Sequence, residues 1–352
     1  LNISASQLEK FNLCRFSYFC NYGLNVRERQ RAEINPMQYG TIVHYILERF
    51  FGEYTKEEYL SLEEDKFQKI VCAYLTEYAV KYFGEEQLES NSFTYRLKTI
   101  LDNVMYLMKH IMEELSQSEF FVADCELKIG EDIPSYTIVL PDGHKIAVCG
   151  SVDRVDIMQR ADITYLRIID YKTGTKQFKL SDILYGINLQ MLLYLHSIEV
   201  SGGDKYGEIV PAGILYMPAT VPYISSDSLK SIDKLPDELN KKLKMNGLLL
   251  KDTEIIHGMD KTDVATYIPV KIKAGEPVSS TSLATLAEFG KIFKKVDMLI
   301  AEMGKNIYNG NIEAKPLKGG HDSCEYCPYD SVCAYRQSNP ITCFSVDNKT
   351  VI

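Results

Sequence analysis

Hydrophobic residues fall at helical spacing toward both ends of the chain and at strand spacing in its middle. Apolar positions recur every three or four residues over 55–85, over 94–117 and again over about 281–306, which predicts a helix in each region. From about residue 120 the period changes to two, which is typical of half-buried strands. The predicted strands cover residues 121–129, 136–140, 145–148, 150–156, 166–172 and 209–218.

Two helices are predicted ahead of this region. Ser4 and Gln7 have the spacing of a capping box, so the first helix should begin there. The second should begin at Gly40 and present an apolar face to the core. It carries His44 and Glu48 four residues apart, so these two side chains are neighbours on one face of the helix.

A further helix is predicted from about Ser181 to Ile198, between two of the strands. Gln190 and Tyr194 are four residues apart on it and share a face. Alternating strands and helices of this kind predict an α/β fold. Residues 219–280 have a mixed pattern, with short apolar runs and no dominant period.

The same pattern suggests one compact domain with identifiable parts. We expect residues 54–117 to form a helical insertion that covers one side of the sheet, and residues 120–218 to form the core. Residues 281–343 should contribute a C-terminal helix and a cysteine-rich segment. The chain begins with Leu1 rather than Met, so we expect a fragment of a larger subunit or a processed product.

Acidic and basic residues stand on the two central strands where a site would be expected. Asp170 and Lys172 are two residues apart on a strand and therefore share a face. If the two strands pair as a hairpin, Asp153 comes close to Asp170. Carboxylate oxygens are the ligands that Mg²⁺ prefers, and Glu126 on the preceding strand is a possible third carboxylate. Lys172 could then orient a water molecule or stabilise charge that builds on phosphorus.

The composition and net charge limit the classes of protein to which this chain could belong. The chain is 45% hydrophobic and 25% charged, which is typical of a globular protein. The net charge of −9 argues against a protein that binds nucleic acid through bulk positive charge, although a local basic groove remains compatible with it. No apolar run is long enough for a membrane span and no signal peptide opens the chain, so we expect a cytoplasmic protein without a membrane partner.

The chain has nine cysteines. Because their number is odd and their spacing is uneven, they fit a disulfide framework poorly, and they indicate a metal or cluster site in a reducing compartment. Cys324, Cys327 and Cys333 form a close group that needs a fourth ligand. His321 would complete a zinc site. Cys14, from the other end of the chain, would instead complete four thiolates for a [4Fe–4S] cluster. The spacing alone leaves both alternatives open.

Several of these motifs together resemble the RecB-type branch of the PD-(D/E)XK nucleases, and the cysteine spacing is similar to that of its iron–sulfur subgroup. The resemblance runs over nearly the whole chain and includes segments found in bacterial helicase–nuclease subunits. The motifs are His44 in a helix, Gly150-x-Val-Asp153-Arg-Val-Asp156, Asp170-Tyr-Lys172-Thr-Gly174, Gln190-x-x-x-Tyr194, Ser6-x-Leu8-Glu9 before Cys14, Pro211-Ala-Gly-Ile-Leu-Tyr216, and Cys324-x-x-Cys327-x5-Cys333.

The resemblance implies a restriction-endonuclease-like core, with a mixed central sheet flanked by helices, and a role for each motif. Asp153 and Asp170 would hold the metal, with His44 as a further ligand, and Lys172 would be the catalytic lysine. Gln190 and Tyr194 would support the site and the DNA strand, and Glu126 is an additional candidate. A [4Fe–4S] cluster would be bound by Cys14, Cys324, Cys327 and Cys333 and would join the two ends of the domain.

The family pattern also has departures here. Arg15 stands where the family usually has proline after the first cluster cysteine, and Cys20, six residues after Cys14, could compete as the fourth ligand. The Leu8-Glu9-x-Phe11 run before Cys14 favours Cys14.

The function implied is a Mg²⁺-dependent DNA nuclease, with Mn²⁺ as a possible substitute. It would act on single strands supplied by an AddA-type helicase/nuclease partner subunit, most simply as an exonuclease in double-strand break repair and recombination. Two alternatives are a non-catalytic iron–sulfur module that binds or docks on DNA, and a free-standing nuclease similar to Cas4.

Overall fold

The computed structural model describes residues 1–27, 36–174, 178–222, 235–279, 281–319, 322–333, 335 and 340–344. Among these residues the α-helices are α1 (Ala5–Leu13), α2 (Arg15–Tyr18), α3 (Pro36–Glu53), α4 (Lys56–Leu60), α5 (Glu64–Phe83), α6 (Glu85–Leu88), α7 (Asn91–Ser116), α8 (Gln190–Ser201), α9 (Gly203–Tyr206), α10 (Leu235–Leu243), α11 (Thr253–Met259) and α12 (Leu286–Tyr308). A π-helical turn covers Phe19–Gly23, and 3₁₀ turns cover Leu180–Tyr185 and Asp330–Val332.

The strands form a central mixed sheet and smaller sheets around it. In the described part of the chain the central sheet has the order β11-β8-β7-β6-β5-β2, and β1, β4 and β3 form a second sheet. The strands are β1 (Asn2–Ile3), β2 (Phe121–Ile129), β3 (Thr137–Val139), β4 (Lys145–Val148), β5 (Gly150–Arg160), β6 (Ile163–Lys172), β7 (Glu208–Pro218), β8 (Asn246–Leu250), β9 (Lys271–Lys273), β10 (Glu276–Val278), β11 (Leu283–Ala284), β12 (Leu317–Gly319) and β13 (Ile341–Cys343).

The predicted fold class is confirmed. Strands β2, β5 and β6 form an antiparallel meander, whereas β6 and β7 are parallel and are joined through α8. A parallel pair needs such a crossover connection, and here the helix provides it. The capping box at Ser4 and Gln7 is also present, and it starts α1 one residue after Ser4.

The helices cover the two faces of the sheet as separate groups. On one face α3, α5 and α7 pack together, and on the other α8 packs with α12 and α1. Side chains of one hydrophobic core run through both layers, because alternate residues of the buried strands point to opposite faces. No described helix combines the length and apolar character needed to cross a membrane.

The single helix predicted over residues 181–198 is wrong. The structure has a 3₁₀ turn over Leu180–Tyr185, a break, and then α8 from Gln190. Gly186 ends the turn with φ of +71°, a left-handed conformation that glycine adopts without strain. Its carbonyl accepts a hydrogen bond of 2.9 Å from the Asn12 side chain of α1, so a tertiary contact fixes the break.

Four charged side chains lie fully buried between α7 and the sheet. Asp156 of β5 accepts two hydrogen bonds of 2.6 Å from Arg154 and one of 3.0 Å from Arg167 of β6. Glu114 of α7 accepts from both arginines, at 3.0 and 2.5 Å. All four are 0% exposed. Paired in this way, the charges hold α7 against the sheet.

The two ends of the described chain meet beside α1. Ser323 donates a hydrogen bond of 2.9 Å to the carbonyl of Leu13, a contact between residues 310 positions apart. Tyr329 donates one of 2.8 Å to the carbonyl of Val26. A small apolar cluster of Ile187, Leu317 and Cys343 packs against this junction. These contacts bring the N-terminal and C-terminal cysteine segments together.

Candidate metal centre

Three carboxylates form a row across the strands of the meander. Cys125 pairs with Arg154, and Leu127 pairs with Val152, which places Glu126 of β2 level with Asp153 of β5. Arg154 in turn pairs with Ile169 of β6, so Asp153 and Asp170 are the next positions along that hairpin. The hairpin pairing predicted from the sequence is confirmed, and it explains how these three carboxylates come together.

His44 of α3 lies between two of these acids. Its Nδ1 is 2.7 Å from Oε1 of Glu126, and its Nε2 is 3.6 Å from Oδ2 of Asp153. These three residues each offer one ligand atom within 4.8 Å of the others, a set that could hold a metal ion. The edge of the His44 ring also packs on Tyr171, with centroids 5.9 Å apart.

Asp170 and Lys172 form an ion pair at the end of β6. The Lys172 ammonium is 2.5 Å from Oδ2 of Asp170, and the carboxylate is nearly buried whereas the lysine is about a quarter exposed. The ammonium also lies 6.0 Å above the ring of Tyr216 on β7. Lys172 is therefore held at the mouth of the site with a carboxylate on one side and open space on the other.

The closely spaced carboxylates perturb the pKa values of the site. Burial and the charge of Asp170 raise the pKa of Asp153 to about 7, although His44 and the Tyr171 backbone N–H oppose this. Burial would lower the pKa of His44, but its contacts with Glu126 and Asp153 outweigh burial and raise it. Burial would likewise raise the pKa of Glu126, but hydrogen bonds from His44 and Ser151 overcome burial and lower that pKa.

These shifts indicate that the row of acids attracts positive charge. Without a metal, a proton on Asp153 relieves the repulsion between Asp153 and Asp170. A divalent cation would relieve it more completely, and carboxylate oxygens are suitable ligands for Mg²⁺ or Mn²⁺. The imidazole of His44 suits Mn²⁺ better than Mg²⁺, because Mg²⁺ strongly prefers oxygen.

Glu126 has an unusual backbone conformation for a strand residue. Its φ is +52°, which costs a residue with a Cβ on the order of 1–2 kcal/mol. Strain of this kind is typical of functional sites, and here it accompanies the hydrogen bonds that tie Glu126 to His44 and Ser151, at 2.7 and 2.8 Å. Glu126 is therefore part of the same cluster of side chains as His44 and Asp153.

Tyr194 lies under the site on the α8 side of the sheet. A Cβ added to Gly150, the first residue of β5, would overlap its phenol group, so glycine is required for this close approach. Burial, with help from the charges of Asp153 and Asp170, raises the pKa of Tyr194 to about 12 and keeps the phenol protonated. Gln190, one turn earlier, is half-buried at the first position of α8.

Two contacts around the site involve residues that the sequence had not singled out for this purpose. Glu9 of α1 accepts a hydrogen bond of 3.0 Å from the backbone N–H of Leu189 and so fixes the start of α8, where Gln190 lies. The Tyr171 N–H donates a hydrogen bond of 3.0 Å to Asp153. Glu9 is part of the Ser6-x-Leu8-Glu9 motif, but the sequence does not reveal the partner of its side chain, because that contact depends on tertiary packing.

An open cleft of about 660 Å³ gives access to the site. His44, Glu126 and Lys172 line it, together with residues of α3, α5 and the segment after β6. The remaining lining residues are Gly40, Thr41, Tyr45, Glu48, Tyr78, Tyr82, Lys128, Tyr171, Thr173 and Gly174.

A second cavity, of about 180 Å³, is lined by four cysteines from the two ends of the chain. They are Cys14, Cys324, Cys327 and Cys333. Cys20 is buried, and its burial, followed by the nearby thiols of Cys327, Cys333 and Cys14, raises its pKa. His321, the alternative fourth ligand, lies outside the described residues.

The comparisons with known proteins agree with this geometry. The family model described as the PD-(D/E)XK nuclease superfamily matches residues 2–334. The chain is 35% identical over 347 residues to an ATP-dependent helicase/deoxyribonuclease subunit of Thermoanaerobacter sp. (strain X514), and 36% identical over 355 residues to the protein of the same name from Clostridium kluyveri (strain NBRC 12016). These matches cover 95% and 96% of this chain but 30% of each relative.

The match therefore extends over almost all of this chain, and it includes the strands that carry Asp153, Asp170 and Lys172. Members of this superfamily typically use a divalent metal, and the structure has a suitable acidic cluster at these strands. By its sequence and by its mixed sheet alike, the chain belongs to the PD-(D/E)XK nuclease superfamily.

Proposed function

We propose that this chain is the nuclease module of a helicase–nuclease subunit of the AddB type. It would hydrolyse phosphodiester bonds in single-stranded DNA delivered by an AddA-type partner, in the course of double-strand break repair and recombination. The observation that supports this most strongly is the row of Glu126, Asp153 and Asp170 with Lys172 paired at its end. We further propose that residues 1–352 act as one nuclease domain, with the insertion at 54–117.

The residues divide the chemistry between them. Asp153, Asp170 and His44 would hold Mg²⁺ or Mn²⁺, with Glu126 orienting His44 through their hydrogen bond. When bound, the metal lowers the pKa of a water and neutralises charge on the phosphate. Lys172 would hold the attacking water or the phosphoryl oxygen from the open side of the cleft. Tyr194, which is buried, and Gln190 would support the site and the DNA strand from below.

The direct test is cleavage of an end-labelled single-stranded oligonucleotide by the purified chain. We expect cleavage with Mg²⁺ or Mn²⁺, none with EDTA, and recovery when metal is restored. Cleavage that persists in EDTA would contradict the metal-dependent mechanism. Binding to DNA ends without cleavage in either metal would instead favour a non-catalytic docking module.

We also propose that the cysteine cavity binds a [4Fe–4S] cluster. Cys14, Cys324, Cys327 and Cys333 all line it, so one group could bind all four thiolates. Tetrahedral zinc, with Zn–S bonds of about 2.3 Å, would need sulfur atoms about 3.8 Å apart. Among the described residues no three cysteine sulfurs lie within 4.8 Å of one another, which favours the larger cluster. Its role would be to join α1 to the C-terminal segment.

The choice between Cys14 and Cys20 can be tested by substitution. Cys14→Ser should lose the cluster, because Cys14 lines the cavity with the three C-terminal cysteines, whereas Cys20→Ser should retain it. The measurement is iron content and absorbance near 400 nm after purification without air. The reverse result would assign the fourth ligand to Cys20, and stoichiometric zinc without iron in the unsubstituted chain would refute the cluster.

Metal binding at the acidic row should depend on pH. The pKa of Asp153 is raised to about 7 in the metal-free chain, so below pH 7 a proton must leave before a cation binds. Affinity for Ca²⁺, which occupies such sites without supporting turnover, should rise by up to about tenfold per pH unit below 7 and flatten above it. Calorimetric titration from pH 5.5 to 8.5 measures this.

The raised pKa of Asp153 also determines how the stability of the metal-free fold changes with pH. A carboxyl group whose pKa is raised on folding binds more protons in the folded state, so its contribution to stability falls as pH rises from about 4 to 7. Added Ca²⁺ should offset this loss of stability. In Asp153→Asn the decrease in stability between pH 4 and 7 that Asp153 causes should vanish. If stability still depended on pH as in the unsubstituted chain, another residue would be responsible.

A further inference from the structure

Three tyrosine rings form a row along one wall of the active-site cleft. Tyr45 of α3 lies 5.2 Å from Tyr78 of α5, and Tyr78 lies 4.4 Å from Tyr82, measured between ring centroids. The ammonium of Lys81 is 5.1 Å above Tyr82 and 6.0 Å from Tyr45. The row therefore combines aromatic faces with a positive charge.

The row is continuous with the site. All three tyrosines line the cleft that His44, Glu126 and Lys172 also line. Tyr45 immediately follows His44 in α3, so the helix that supplies the imidazole also supplies the first ring.

Two of the rings are held rigidly. Tyr45 donates a hydrogen bond of 2.7 Å to Glu77, which also accepts one of 3.1 Å from Arg49. Tyr78 is 5% exposed and packs against its neighbours on both sides. A rigid surface loses little conformational entropy when it binds a ligand.

The outermost ring is open to a ligand. Tyr82, in the last turn of α5, is 56% exposed and contacts Tyr78 on its inner side, so part of its ring remains accessible from the cleft that it lines. Aromatic faces next to cations at the edge of a phosphate-cleaving site match what proteins use to hold single strands without sequence preference.

We propose that Tyr82, backed by the rings of Tyr78 and Tyr45 and flanked by Lys81, forms a stacking surface for a base of single-stranded DNA, within a few nucleotides of the phosphate that is cleaved. This rests on the proposed nuclease function and adds a route for the strand, over the helical insertion and into the cleft. Stacking requires unpaired bases, so the surface would also favour single strands over duplex at this site.

The test measures stacking independently of cleavage. Oligonucleotides that carry the fluorescent base 2-aminopurine lose fluorescence when that base stacks, and Ca²⁺ in place of Mg²⁺ prevents turnover. The unsubstituted chain and Tyr82→Phe should quench the probe equally. Tyr82→Leu keeps an apolar side chain without an aromatic face, and it should abolish quenching and weaken binding about tenfold.

The matched control is Tyr95→Leu. Tyr95 belongs to α7 of the same insertion, is 73% exposed and does not line the cleft, so its replacement should leave quenching and affinity unchanged. If Tyr82→Leu bound the oligonucleotide and quenched the probe as well as the unsubstituted chain does, the stacking surface would be refuted and the nuclease assignment would stay intact. Equal losses in both variants would also overturn it. A chain that quenches the probe but never cleaves would contradict the nuclease function alone.

Discussion

Asp170→Asn should reduce Mg²⁺-dependent cleavage of single-stranded DNA by about a thousandfold or more. The substitution keeps the size of a nearly buried side chain and removes the charge that would hold the metal and pair with Lys172. Electrostatic groups aimed at a reacting centre typically contribute on the order of 3–4 kcal/mol each, and loss of a metal ligand adds to this. The measurement is the single-turnover cleavage rate at saturating Mg²⁺.

Stability provides an internal check on this result. Asp170 raises the pKa of Asp153 through like-charge repulsion, so removing its charge should lower that pKa and leave the metal-free fold at least as stable at pH 7.

Lys172→Met should lose cleavage activity to a similar extent as Asp170→Asn. Lys128→Met, which replaces another lysine lining the cleft that pairs with Glu131 at 3.2 Å, should keep its activity within a few fold of the unsubstituted chain. Activity retained in both Asp170→Asn and Lys172→Met would refute the assignment of this site.

Asp156→Ala should lower the free energy of unfolding by about 3–5 kcal/mol. Asp156 is fully buried and accepts hydrogen bonds from Arg154 and Arg167, and removing it leaves two guanidinium groups with Glu114 as their remaining carboxylate. An unbalanced buried charge is costly because it has lost its water and its partner. Urea denaturation followed by circular dichroism measures the change.

Glu119→Ala is the matched control for this prediction. Glu119 also pairs with an arginine, Arg160, and lies 3.6 Å from Lys261, but these side chains are substantially exposed. Exposed ion pairs contribute about 0–1 kcal/mol, so this variant should unfold nearly like the unsubstituted chain. Equal losses in the two variants would show that the buried network has no special role in holding α7 to the sheet.

The part of the site built from neighbouring strands could be predicted from the sequence. Strand periodicity placed Asp170 and Lys172 on one face, and a hairpin brought Asp153 to Asp170, because both relations depend on local geometry. The same reasoning could not place Glu114, which reaches Arg154 from a helix 40 residues earlier in the chain. It could not find the row formed by Tyr45 and Tyr78 either, since packing between α3 and α5 determines it.

The error over residues 181–198 has a similar cause. Helical spacing of apolar residues continues through Gly186, and a single glycine within such a pattern is compatible with a helix. The break is fixed by Asn12 and Glu9 of α1, which bind the backbone on either side of it. Local periodicity contains no information about a helix that lies more than a hundred residues away in the chain, so the start of α8 depended on the tertiary structure.

The junction between Leu13 and Ser323 has a consequence for the time course of synthesis. These residues are 310 positions apart, and a ribosome adds about 5–20 residues per second. The first helix would therefore leave the ribosome about 15–60 s before its partner segment exists. Throughout that interval the contact between Leu13 and Ser323 cannot form, so the two cysteine segments come together only after the strands and helices between them have been synthesised.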